Sequence, residues 1–268
     1  MPNRVNRFTY MTTIFKKFRI LRRNRKPITS KLDAKLRPLH FVKCRTDRRF
    51  AGILIDQSQP KFLTVSELAP ADVLFCACDD KELTHGIISY GSSGDYVHVA
   101  IYIGGGKVVE AIKSGVVEDT LANVVARYPY VAICRCPGAE PNGLPELSDK
   151  VVAFCKEHVK LQTPYNLFGS IISPLLELRE LKKQPKWPRR FTEKQKKRRP
   201  KGSFFCSEFV IEAFTYGGYI TEEAMDSAKY SPTALAEEND FCLFGYLGNP
   251  DMAEHIRKHD LFLTGGIS

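Results

Sequence analysis

No stretch of the 268-residue chain approaches the ~20 consecutive apolar residues that a membrane-spanning helix needs. The basic N-terminus also lacks an apolar run of signal-peptide length before the next charges, so export by the Sec route is not expected. The expected location is the cytoplasm or the periphery of a membrane, with non-Sec secretion as the remaining route. No internal repeat is visible. The eight cysteines include no Cys-x2-Cys pair, the usual spacing of structural zinc, and they do not suit a disulfide framework in a chain of this length. Cys76/Cys78 and Cys134/Cys136 are Cys-X-Cys pairs in strand-like runs, so each pair points to one face. Buried free thiols are the expectation, with a zinc site joining the two pairs as the alternative. Gly104-Gly105-Gly106 is followed by a strand-like run, where a phosphate loop or dinucleotide fold would continue into a helix.

Charge is plentiful but unevenly placed. Residues 1–50 carry 16 Lys/Arg against 2 Asp/Glu, and residues 182–201 carry 11 against 1. The rest of the chain therefore holds 13 basic against 27 acidic residues. The pattern describes an acidic domain over 51–268 with a basic N-terminal extension, 1–50, and a basic insertion at 182–201. The length suits one good-sized domain whose core needs no staples.

The segment Phe204-Phe205-Cys206-Ser207-Glu208-Phe209-Val210-Ile211-Glu212-Ala213-Phe214 constrains function most. Val210, Ile211 and Phe214 recur at helical spacing, Phe209 and Ala213 widen the face, and the helix should begin at Cys206. First-turn amides lack partners and carry partial positive charge, which favours a thiolate. A small buried hydrophobe is the plain alternative for a cysteine taken alone.

Upstream, Asp95 to Ile103 alternates as a strand does, with His98, Ala100 and Tyr102 on one face. After the three glycines, Lys107 to Ile112 reads as its antiparallel return. A two-residue turn at Gly104-Gly105 would put Glu110 on the wrong face. A three-residue loop, Gly104 to Gly106, pairs Ala100 with Glu110 and brings the carboxylate one diagonal step from His98. Cys206, His98 and Glu110 then have the parts of a thiol hydrolase: nucleophile, general base and orienting carboxylate. Neither cofactor nor metal is implied.

The segment His98-Val-Ala-Ile-Tyr-Ile-Gly, with Val-Val-Glu110-Ala after it, resembles the histidine motif of the circularly permuted branch of the NlpC/P60 superfamily. Phe205-Cys206-Ser207-Glu208-Phe209-Val210 resembles its cysteine motif, and histidine before cysteine is the permuted order. Leu68-Ala-Pro-Ala-Asp72-Val-Leu resembles the entry strand, with Ala71 where a glycine is usual. Tyr230-Ser-Pro232-Thr-Ala-Leu235 resembles the segment after the cysteine helix. The likeness runs from about 62 to 250 and is greatest to the YiiX/YebB-like group, beside the lecithin:retinol acyltransferase-like proteins. It implies an α+β papain-like fold, an antiparallel sheet or small barrel packed against the cysteine helix. It also implies a cysteine-dependent hydrolase or acyltransferase acting on lipid-linked acyl or peptide bonds. Tyr165, in Pro164-Tyr165-Asn166, resembles a tyrosine near the thiol that could position substrate.

Lys186, Trp187, Arg189 and Arg190, a few residues before Cys206, suit contact with anionic headgroups at a membrane interface. Ile14, Phe15, Phe18 and Leu21 sit at helical spacing among basic residues, as in an amphipathic surface helix, a targeting peptide or a solvated tail. These features favour an acyl-lipid substrate and an anionic membrane surface as partners, with nucleic acid not expected. Cleavage of cell-wall peptides and a non-enzymatic membrane or nucleic-acid binding module are the alternatives. Further strands are expected at Phe50–Ile55, Ala71–Cys78 and Pro129–Cys136. Helices are expected from Pro145 to Leu161, capped by Ser148 or Asp149, and then through about Lys182. His85, His158 and Asp95 read as surface or partly packed residues.

Overall fold

The computed structural model describes residues 59–77, 96–139, 143–144, 146–167, 169–170, 202–221, 225–238 and 240–264, together with the backbone of strands at 28–29, 39–46 and 49–56. The segment carrying Ile14 to Leu21, the basic stretch 182–201 with Lys186, Trp187, Arg189 and Arg190, all but the first turn of the helix expected through about Lys182, and Cys78, His85 and Asp95 lie outside these residues. Strands β1 (Ile28–Thr29), β2 (Leu39–Thr46) and β3 (Arg49–Asp56) form one antiparallel sheet. β3 contains the expected strand at Phe50–Ile55, and β2 adds a strand within the basic extension.

A second, six-stranded sheet carries the candidate site. Its strands are β4 (Val73–Ala77), β5 (Tyr96–Gly104), β6 (Lys107–Ile112), β7 (Gly115–Thr120), β8 (Tyr130–Arg135) and β9 (Cys242–Gly248). They lie in the order β7-β6-β5-β4-β8-β9, with every neighbouring pair antiparallel. The sheet is open, not a barrel. The helices are α1 (Leu121–Ala126), α2 (Leu147–Lys160), α3 (Cys206–Tyr216), α4 (Pro232–Ala236), α5 (Ala253–His259) and α6 (Leu261–Thr264). No described helix is long and apolar enough to cross a membrane.

Period-two alternation gives the sheet two buried faces. Val73, Phe75, Val99, Ile101, Val109 and Ala132 belong to the larger cluster, which also takes in Val151 and Cys155 of α2 and Phe209, Val210 and Phe214 of α3. Leu74, Cys76, Ala100, Tyr102, Val108, Val131 and Ile133 belong to the other, which takes in Leu121 and Val124 of α1. Each Val, Leu, Ile or Phe side chain among them contributes about 1.5–3 kcal/mol on burial. Phe209, Val210, Ile211 and Phe214 are all fully buried, because α3 is packed between α2 and strands β5 and β6. The two clusters also separate Cys76 from Cys134 and Cys136, so the sheet stands between thiols that a joint zinc site would need together.

Two expectations are corrected here. The β5–β6 hairpin pairs Ile101 with Val109 and Tyr102 with Val108, the register that carries Glu110 to the level of Ala100. It closes through a two-residue turn, Gly105-Gly106, with Gly104 opposite Lys107, and not through a three-residue loop. An irregularity between Tyr102 and Gly104 absorbs the extra residue, and φ of +90°, +61° and +71° at Gly104, Gly105 and Gly106 makes glycine the fitting residue. Helix α2 is not capped by Ser148 or Asp149. Glu146 occupies the cap position with φ +61°, no side chain caps the helix, and Ser148 and Asp149 lie in the first turn.

Candidate active site

The site sits where β5, β6 and the first turn of α3 meet. β4 and β5 run in regular register up to the pair Cys76–His98, and then Ala77 pairs with Tyr96. Val97 is the extra residue of this bulge, immediately beside His98. Bulges bend the strand and re-aim neighbouring side chains.

His98 Nε2 lies 2.7 Å from Glu110 Oε2, and Glu110 is fully buried while His98 is 8% exposed. The other carboxylate oxygen, Oε1, accepts a 2.6 Å hydrogen bond from Arg127 Nη2. Burial works against the Glu110 charge, but bonds and charges from His98 and Arg127 outweigh it and lower its pKa to about 2. An ionised carboxylate is only an acceptor, so His98 Nε2 carries the proton of their bond. That leaves Nδ1 free of Glu110, with the Cys206 thiol close enough to be among the groups that raise the His98 pKa. Burial disfavours the imidazolium, yet contacts with Cys206 and Glu110 prevail and raise His98 to about 9.

Cys206 opens α3 behind Phe205, which is extended at φ −99° and ψ 170°. Glu208, three residues on, turns back to accept from the Phe205 backbone N–H at 3.3 Å, one half of a capping box. Asn166 Nδ2 also donates to Glu208, at 3.4 Å. Ser207 Oγ donates to Tyr230 O at 2.6 Å, and Ser231 caps α4 by accepting from Ala234 N. Thr233 Oγ1 accepts from Tyr96 N at 3.0 Å and donates to Tyr96 O at 3.1 Å. The segment 230–233 thus ties the start of the histidine strand to the start of the cysteine helix. Cys206 is 2% exposed, so its surroundings exclude most water.

Tyr165 is joined to this region through the backbone. It forms an isolated bridge with Phe204, two residues before Cys206, with Asn166 N donating to Phe204 O at 2.8 Å. The side chain is partly buried against the larger cluster. His158 is partly packed, its ring 4.3 Å from that of Phe154 and 5.0 Å from that of Phe204, and Nδ1 lies 2.8 Å from Thr163 Oγ1. Burial lowers its pKa.

Two residues of the site were not read from the sequence. Arg127 ends α1, holds Glu110, and also lies 3.5 Å from Asp119. Tyr128 stacks on His98, with ring centroids 6.1 Å apart and planes 14° apart. Burial, with Cys76 and Glu110 nearby, pushes its phenol up, so the hydroxyl stays protonated. The available signal was strand β7, which extends the hairpin through a Lys113-Ser114 turn, and the Thr120 cap that starts α1 by accepting from Asn123 N. Cys76 is opposite His98 in the sheet, but burial and then Glu110 push its thiol well up, which separates it chemically from a nucleophile.

Among the described residues, no group of three or more His, Cys, Asp and Glu side chains is arranged to hold a metal ion. The set instead offers a thiol, an imidazole that can exchange a proton with it, and a fixed carboxylate behind the imidazole. No family model and no curated protein sequence matches the chain.

Proposed function

We propose that the protein is a cysteine-dependent acyl hydrolase or acyltransferase, with Cys206 as nucleophile, His98 as general base and acid, and Glu110 as the orienting carboxylate. The observation that carries this reading is the buried His98–Glu110 pair at 2.7 Å beside Cys206, in which the carboxylate fixes Nε2–H and leaves Nδ1 to face a thiol.

His98 Nδ1 takes the proton of Cys206, and the sulfur attacks the acyl carbonyl. The Cys206 backbone N–H, at the first position of a helix and so without an intrahelical acceptor, is placed to stabilise the oxyanion. The tetrahedral intermediate expels its alcohol or amine, which leaves with the proton from His98, and an acyl thioester remains on Cys206. Water or another acceptor then gives its proton to His98 and attacks the thioester. The carboxylic acid or transferred acyl product departs, and the proton returns to sulfur. Glu110 stabilises the imidazolium throughout.

The order of the motifs, the histidine hairpin and the cysteine at a helix start support membership of the permuted NlpC/P60 branch, in its YiiX/YebB-like group, with a papain-like arrangement. Tyr165, tied to Phe204, is proposed to position substrate. The substrate favoured is a lipid or lipid-linked acyl ester or amide, because basic and aromatic residues accumulate just before Cys206 in the sequence.

Mass spectrometry after brief exposure to anionic phospholipid vesicles tests the reading. A fatty-acyl adduct on Cys206 with released lysolipid, lost in both Cys206→Ala and His98→Ala, is expected. His98-dependent alkylation without any lipid adduct would redirect the enzyme to peptide substrates. A Cys206 thiol inert to vesicles and to iodoacetamide alike would remove the catalytic assignment.

A further inference from the structure

The sheet face that carries Ala100, Tyr102 and Cys76 also borders a groove of about 660 Å³. Its aliphatic walls are Leu63, Val65, Leu121, Val125 and Leu247. None of its lining residues is Lys, Arg, His, Asp or Glu, although charged residues make up 26% of the chain. Val65 stands 54% exposed at the groove, so an apolar wall is open to solvent. Small-molecule sites of ~300–1,000 Å³ combine such walls with few polar groups.

Position gives the groove its meaning. Tyr128 lines it and also stacks on His98. The preceding residue, Arg127, holds the carboxylate that orients the same imidazole. One dipeptide therefore belongs to the groove and to the catalytic set.

We propose that this groove receives the hydrocarbon chain of the acyl group that Cys206 accepts, with Tyr128 as the wall between the chain and the imidazole. The inference rests on the acyl-transfer reading of Cys206 and deepens it by assigning the chain-binding surface. Besides Tyr128, the polar side chains in the lining are Thr120 and Asn249, whose oxygens already accept from Asn123 N and Asp251 N. A peptide in the groove would bring backbone N–H and C=O groups all along its length. A hydrocarbon chain brings none, and each methylene taken from water strengthens binding about fourfold.

Two measurements test the assignment separately from the chemistry. Hydrolysis of p-nitrophenyl esters with four- and twelve-carbon acyl chains gives a ratio of kcat/KM. The long chain should be favoured by at least about tenfold in the native protein. Ala122→Trp fills the groove from an exposed position on α1, and Val65→Asp puts a charge in its wall. Each should lower that ratio by at least about tenfold. A ratio that neither variant changes overturns the proposal. In parallel, Cys206→Ala protein is titrated with a fluorescent twelve-carbon fatty acid, with and without each groove substitution. Saturable binding weakened by both substitutions is expected, and no binding overturns the groove whatever the esters show. Binding without hydrolysis of either ester would overturn the Cys206 chemistry and leave the groove a hydrocarbon site.

Discussion

Arg127 Nη2 binds one oxygen of Glu110 at 2.6 Å while His98 Nε2 binds the other at 2.7 Å. The carboxylate is held between two cations and cannot turn without breaking one bond. Arg127 never touches the thiol; it is a positioning residue. Its side chain is 39% exposed, so solvent screens part of its effect. Arg127→Ala should slow His98-dependent alkylation of Cys206 by about tenfold, from losing one charge-assisted bond. It should also displace the pH profile, because Glu110 then holds the imidazolium less firmly. Arg127→Lys keeps the charge but not the guanidinium geometry and should recover part of the loss. Peptide mapping must follow the label, because Cys242, unlike Cys206, is an exposed thiol. An Ala variant with wild-type rate and profile would mean that Arg127 only decorates the surface.

The His98 titration separates the forces on the ring. Burial is the largest influence and lowers its pKa, whereas Cys206 and Glu110 raise it to about 9. NMR of the ring protons should therefore show lower pKa values in Cys206→Ala and in Glu110→Gln. The double variant, left mainly with burial, should titrate below the ordinary 6.5. The linked stability has a definite sign. Raised above its unfolded value, His98 stabilises the fold fully below pH 6.5, and that contribution is lost as pH rises through about 9. Glu110 acts oppositely: its contribution is present above pH 4.5 and is lost as pH falls toward about 2. A double variant that still titrated near 9 would refute the assigned causes.

The hairpin offers a test of what sets register. Gly106 has φ +71°, and nothing lies within 4 Å of where its Cβ would be. Gly106→Val therefore meets backbone strain with open space around its Cβ and should cost about 1–2 kcal/mol. Register should nonetheless hold, since a one-residue slip would turn Val108, Val109 and Ala111 out of the faces that bury them. Urea unfolding should thus show the loss while the His98 titration stays near its native position. A large drop in the His98 pKa would show that the turn, and not the buried alternation, holds Glu110 in place.

What could be read in advance was local. The alternation around His98, the glycine turn and the apolar face after Cys206 each occupy fewer than twenty neighbouring residues, and they give β5, β6 and α3 nearly at their limits. The sequence spacing also supported the register that joins His98 to Glu110, although it assigned the extra residue to the loop and not to a bulge. Arg127 and Tyr128 escaped notice because β7 and α1 first had to fold back along β6. The clamps Ser207–Tyr230 and Tyr96–Thr233 bridge 23 and 137 residues, with no periodicity to announce them. Ala71 is a different case. It adopts φ +73° while fully buried, a left-handed conformation that strains an alanine and that its residue type does not announce. Glu146 likewise takes a left-handed conformation that its residue type does not suggest, which moved the start of α2.

A buried carboxylate far along the chain supports the same strand. Asp260 Oδ2 accepts from Tyr96 Oη at 2.6 Å, and Oδ1 accepts from Tyr246 Oη at 2.8 Å and from Phe262 N at 3.0 Å. It thereby secures the first residue of β5, two positions before His98. Burial raises Asp260 to about 6, against the opposing bonds from Tyr96, Tyr246 and Tyr130. Its protonated form is favoured in the fold, so its stabilising contribution is full below the unfolded value of 3.8 and is lost as pH rises through about 6. Asp260→Asn cannot ionise. Its stability relative to the native protein should therefore rise across that interval, by about 3 kcal/mol if the whole shift is expressed. Asp260→Ala should cost about 3 kcal/mol or more at pH 4, because it leaves buried tyrosine hydroxyls and an amide without this acceptor, and that cost should shrink as pH rises by the same linkage. Unfolding free energies at pH 4 and pH 7 decide the matter. A native-minus-Asn difference that stayed constant would mean that Asp260 is charged throughout, held by its donors more strongly than burial opposes.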